Sequence, residues 1–157
     1  MDARIDKLIA RMEKSRAQLD AALEKLAPQQ DIYPTWKVKQ LMDHITGWDE
    51  LVAATLQAYS RGVDPVMMMA DGIDHYNSES ISARKDVTLE KSRRDYQEAR
   101  AKVLRLLRGL PVEIYEKEFV APWGGQCTVE GIMKIFVSHE REHARHIEAV
   151  LRDSAGE

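Results

Sequence analysis

His139 and His143 stand four residues apart in the segment His139-Glu140-Arg141-Glu142-His143. On a helix that spacing stacks the two imidazoles on one face, where they can share a metal ion. They also fall on the apolar stripe Val129, Ile132, Met133, Phe136, His139, His143, Ile147, Val150 rather than on the charged side. An unpaired buried polar group costs about 1–3 kcal/mol, so two core-facing imidazoles need partners, and a shared ion supplies one to both. A third ligand is at hand in His44, on the inward line Leu41, His44, Trp48, Leu51 of another helix. Three neutral imidazoles with a fourth position left to water describe a catalytic type of divalent site, not a closed structural one. The ligand type favours zinc or nickel. Gly47, one turn after His44, needs a reason in mid-helix: close helix packing, or room for a ligand beside the ion.

The letters His-Glu-x-x-His also match the zincin protease signature, with Glu140 as the residue acting on water. Only fourteen residues follow His143, His146 and Ala149 stand where the extended motif needs Gly and His, and no strand is evident to align a peptide, so this reading is set aside. Glu140 stays as the one candidate general base. It lies about 100° round the helix from His139, which favours a solvated or interhelical role. His75, Tyr76 and Asn77 are candidates for a pocket mouth, with Asn77 equally able to cap a short helix, and Trp48 is core or pocket wall. Cys127 precedes a helix start, which lowers a thiol pKa, but a nucleophile would want a neighbouring base. Met67, Met68 and Met69 read as gap-filling core or a dimer contact.

Four amphipathic helices must position these groups. Ile5, Leu8, Ile9, Met12, Leu19, Leu23 and Leu26 mark the first, capped by Asp2 and stopped by Pro28. Val38, Leu41, Ile45, Leu51, Leu56 and Tyr59 mark the second, with Thr35 as its cap and Gly62 at its end. A short helix is expected near 71–82. Thr88 opens the third long helix, closed by Gly109 and Pro111, and Thr128 opens the last. Pro122-Trp123-Gly124-Gly125 is a turn cluster in the connector 111–127. With no alternating strand pattern, the expectation is an all-α chain: one four-helix-bundle domain over 1–157.

Composition narrows the function. The 157 residues carry a formal charge of −3, lacking the basic excess of a nucleic-acid binder. No apolar run approaches the ~20 residues of a membrane span, and the start reads as a helix, not a leader, so a soluble cytoplasmic protein is expected. A single Cys excludes an intramolecular disulfide and leaves metal binding to histidine. Charge is uneven: residues 84–108 hold nine Lys and Arg against four Asp and Glu, and residues 31–79 hold three against eight. The two faces are expected to be solvated and able to attract each other, with an anion-binding groove as the sharper alternative.

Trp36-Lys37-Val38 leading into a helix with His44 and then Trp48 resembles the second-helix signature of the DinB/YfiT-like superfamily. Gly72-Ile73-Asp74-His75-Tyr76-Asn77 resembles the segment of its branch containing mycothiol-dependent maleylpyruvate isomerase and the colibactin self-protection proteins. The stretch from Thr128 to Val150 is similar to the family's last helix. The resemblance covers roughly residues 5 to 151. It implies a four-helix bundle, often a homodimer, with a divalent metal on His44, His139 and His143. It implies a small-molecule substrate and a chemistry of hydrolase or thiol S-transferase type, the latter with a low-molecular-weight thiol. A non-enzymatic sequestration protein in stress or toxin protection is the alternative. His146 departs from the Gln of many relatives and leaves the ligand set open there.

Overall fold

A computed structural model describes residues 2–156. Its long helices are α1 (Ala3–Glu24), α2 (Val38–Ser60), α4 (Leu89–Arg108) and α6 (Val129–Ala155), with α3 (Ile73–Ser82) and α5 (Val112–Glu116) in the connections. Local chemistry sets most of the starts. The Asp2 carboxylate accepts from the Arg4 backbone N–H, Thr88 Oγ1 from Lys91, and Thr128 Oγ1 from Gly131. The second helix differs from the sequence reading: its cap is Lys37, not Thr35, and the Lys37 backbone N–H donates to the Gln40 side chain at 2.9 Å. Residues 32–36 are used up in a tight turn closed by Ile32 and Trp36, which delays the helix by two positions. The first helix likewise ends at Glu24, before Pro28.

Two apolar clusters fill the bundle. One contains Ile5, Leu8 and Met12 with Leu51, Leu56, Val103, Leu107, Ile132 and Phe136. The other contains Leu19 and Leu23 with Leu41, Ile45, Tyr96 and Ile147. Helices α1 and α6 run from the first cluster to the second, whereas α2 and α4 run from the second to the first. The closest packing is α2 on α4 and α1 on α6, so each packed pair is parallel. A parallel pair needs a crossover, and the segment carrying α3 brings the chain back from the end of α2 to the start of α4.

A layer of buried charge separates the clusters. Arg16, Asp49, Arg100 and Glu140, one from each long helix, are all at most 7% exposed. Arg16 donates to Glu140 and to Asp49 at 2.7 Å each. Arg100 donates to Glu140 at 2.6 Å and to Asp49 at 3.1 Å. Glu140 is therefore interhelical and not solvated, its two oxygens held by two guanidinium groups. The acidic stretch 31–79 and the basic stretch 84–108 meet where Asp49 pairs with Arg100 in this layer and where Glu50 pairs with Arg84, the first pair buried and not on solvated faces.

Gly47 is explained by packing. A Cβ there would come within 2.7 Å of Ser80 Cβ, so the room is filled by α3 and not left for a ligand. Gly47→Ala is expected to lower the unfolding free energy by about 1–3 kcal/mol in a urea titration, despite alanine's better helix propensity, because the overlap must be relieved by shifting α3.

The connector 111–127 holds structure that the sequence did not announce. Besides α5 it forms a hairpin of β1 (Phe119–Val120) and β2 (Gln126–Cys127), paired Phe119 to Cys127. Two-residue strands are too short to show alternation. Gly124 and Gly125 turn the chain at φ +97° and +78°, which glycine alone adopts readily. Tyr59 anchors the hairpin by stacking on Phe119, centroids 4.2 Å apart, and donating to the Val120 carbonyl. Of the methionine run, Met69 is core while Met67 and Met68 are exposed near Val66. No helix among the described residues is long and apolar enough to cross a membrane.

Candidate metal centre

Helix α6 presents His139 and His143 one turn apart, and α2 brings His44 against them. His139 Nε2 lies 3.1 Å from His44 Nε2 and 2.8 Å from His143 Nε2. Candidate ligand atoms of all three residues fall within 4.8 Å of one another. Three ring nitrogens converging on one point fit a divalent ion by their chemistry. Neutral imidazoles carry one N–H each, and His139 Nε2 can donate to only one of its two neighbours, whereas a cation satisfies three lone pairs together. His44 Nδ1 is buried without a hydrogen-bond partner.

The centre keeps its histidines neutral. Burial above all, with His139 next, pushes His44 down to about 3, the Asn77 side chain acting in the opposite sense. Burial and then the neighbouring His139 and His44 push His143 down to about 2. Burial also lowers His139, against the nearby carboxylates of Glu140 and Glu142. Unfolded histidines titrate near 6.5, so between 6.5 and about 3 the unfolded chain binds more protons than the folded one. Metal-free protein is therefore expected to hold this contribution above pH 6.5 and to lose stability steadily as the pH falls towards 3. The check is the melting temperature of chelator-stripped protein against pH, compared with a His44→Gln/His143→Gln variant. The gap between the two should move against the wild type as the pH drops.

Around the nitrogens lies a cavity of about 450 Å³. The tight turn before α2 supplies two of its walls. Trp36 lies 4.9 Å from the His44 ring, and Tyr33 packs edge-on against His143 at 5.8 Å. The Tyr33 hydroxyl sits between His143 Nδ1 and His146 Nδ1, 2.7 Å from each. One hydroxyl proton serves one of these bonds, so the other nitrogen must donate. With His143 Nε2 bare for an ion, its Nδ1–H donates to Tyr33, and Tyr33 donates to His146.

The other candidates divide. Trp48 and Asn77 line the cavity and are tied together, Trp48 Nε1 donating to Asn77 Oδ1 at 2.7 Å. Tyr76 is not in the lining; its hydroxyl donates to the Gly47 carbonyl and helps hold α3 on α2. His75 is exposed. Cys127 is outside the cavity, its sulfur 3.4 Å from the Tyr59 hydroxyl. Glu140 faces the arginine layer, whereas Glu142 and His146 line the rim. Sequence reasoning passed over Tyr33 and Glu142 as site residues, and used Trp36 and Ile73 only as parts of motifs. The aromatic pair flanking Pro34 was the available signal.

A family profile described as the DinB superfamily matches residues 11–147. No curated protein matches the chain by sequence. Among solved structures, mycothiol-dependent maleylpyruvate isomerase superposes with a TM-score of 0.77 at 10% identity, over 91% of this chain and 60% of that one. This chain thus spans about 60% of the isomerase's length. YfiT from Bacillus subtilis, described as a probable metal-dependent hydrolase with an unusual four-helix bundle topology, gives 0.72 at 19% identity over 99% and 90%. TT2238, a four-helix bundle protein, gives 0.64 at 20% over 91% and 96%. At such identities the likeness is one of fold. The profile match runs from α1 to α6 and takes in all three converging histidines: the chain belongs to the DinB superfamily.

Proposed function

We propose that this protein is a metal-dependent enzyme acting on a small molecule, of hydrolase type, with zinc or nickel held by His44, His139 and His143. The observation that carries the reading is the convergence of three neutral ring nitrogens at the base of an open cavity. A divalent ion bound there supplies Lewis acidity towards water, a carbonyl or a thiol. The chain's own residues do the rest. Tyr33 fixes the proton on His143 Nδ1 and so keeps Nε2 free. Trp36 and Trp48 wall the centre and limit water around it. Glu140 has no free oxygen to serve as base, since Arg16 and Arg100 occupy both. His146 and Glu142, on the cavity rim, take the role of proton acceptors, with His146 linked to the centre through Tyr33.

The likeness to YfiT, which is nearly end to end in both chains, favours hydrolysis. Thiol S-transfer with a low-molecular-weight thiol is the second reading; the fold shared with an isomerase named as mycothiol-dependent supports a role for a thiol. Zinc- or nickel-loaded protein assayed on small esters, amides and lactones, with and without added thiol, tests both. The expected result is turnover that disappears on chelation and in His143→Ala. Turnover that survives removal of the metal would refute the proposal.

A further inference from the structure

The centre's surroundings carry information about the body of its ligand, apart from the head that meets the ion. The histidine cavity opens beside a groove of about 600 Å³, and the two share Trp36 and Asn77 as lining residues. Their charged linings are Glu142 in the first and Asp74 in the second, both on exposed positions. No Lys or Arg lines either one among the described residues.

Cations on the flanking segments are engaged elsewhere. Lys37 pairs with Asp31, Lys39 with Asp43, and Arg84 with Glu50. Arg141 and Arg145 of α6 line a different cavity, beside Arg11 of α1. The apolar walls of the histidine cavity are the flat rings of Tyr33, Trp36 and Trp48 with the aliphatic Ile73. Of the acidic residues in 31–79 only Asp74 stands at the mouth of the site, and α6 adds Glu142.

We propose that the site takes a small molecule with a flat apolar body, uncharged or cationic, joined to a single metal-binding head, and that it rejects phosphorylated or carboxylate-bearing bodies. The inference rests on the metal-centre reading given above. Its physical basis is that, with the ion taken by the head, an anionic tail in these cavities would lose hydration, meet two carboxylates and find no Lys or Arg to pair with. An aromatic or ammonium tail would gain stacking or cation–π contact with Trp36.

Three hydroxamates with the same head and chain length, ending in phenyl, trimethylammonium or carboxylate, provide the test. Binding to zinc-loaded protein is followed by tryptophan fluorescence and calorimetry. The phenyl and trimethylammonium probes should bind about tenfold or more tighter than the carboxylate one. Trp36→Ala should weaken the phenyl probe by about tenfold, with zinc content unchanged. Asp74→Asn/Glu142→Gln, at two exposed positions, should narrow the gap between the trimethylammonium and carboxylate probes. Carboxylate binding as tight as phenyl, or a double variant with the order and gaps unaltered, would overturn the proposal. Zinc content is measured on the same samples, so a missing ion counts against the metal centre alone. The tail order is then read from the corresponding primary amides, which need no ion.

Discussion

Glu140→Ala is expected to lower the unfolding free energy by about 3–5 kcal/mol, a large share of the stability of a domain this size. The two guanidinium groups that Glu140 holds are themselves buried between apolar clusters, and the remaining carboxylate, Asp49, cannot neutralise both. Water has little access to compensate, so the variant keeps an unpaired buried charge. Urea titration of metal-free protein reads the loss directly. Glu142→Ala, two residues on and exposed, serves as the control and should change stability by less than about 0.5 kcal/mol. A small effect of Glu140→Ala would mean that the charged layer is hydrated and that Glu140 is free for other work. Replacing all four charged residues by apolar ones of similar volume should instead be near neutral, since the layer's cost of desolvation disappears with its attraction.

The second large effect concerns the ion. Loss of an outer partner of a metal ligand typically costs 10–100-fold in affinity, so removing a ligand itself, as in His143→Ala, should cost more than about 100-fold. In the wild type, an ion present at 100 to 1,000 times its dissociation constant adds about 2.7–4.1 kcal/mol to stability. Chelation should therefore lower the melting temperature by several degrees in the wild type and leave His143→Ala nearly unmoved. Differential scanning calorimetry with and without chelator separates the two proteins. Equal shifts in both would place the ion somewhere other than these histidines.

The long helices were legible because leucine and isoleucine recur at three- and four-residue steps, and because Asp2, Thr88 and Thr128 are side chains that cap. The histidine pair of α6 was readable for the same reason: a four-residue step on an apolar stripe has one geometric meaning. Other features depend on contacts distant in sequence. Arg16, Asp49, Arg100 and Glu140 have the letters of a surface, and only the meeting of four helices turns them into a core layer. Gly47 was ambiguous until Ser80 was seen against it. Tyr33 and Trp36 belong to a turn whose place over the histidines is set by where α2 and α6 meet, which no local pattern encodes. The hairpin at 119–127 is held by Tyr59 from another element and has too few residues to show a period.

The convergence of His44, His139 and His143 on one ion is tested most directly by anomalous diffraction. Crystals grown without chelator should give a single anomalous peak among the three Nε2 atoms, with an absorption edge that names zinc or nickel. No peak there, or a peak elsewhere that persists at full height in a His139→Ala/His143→Ala variant, would contradict it.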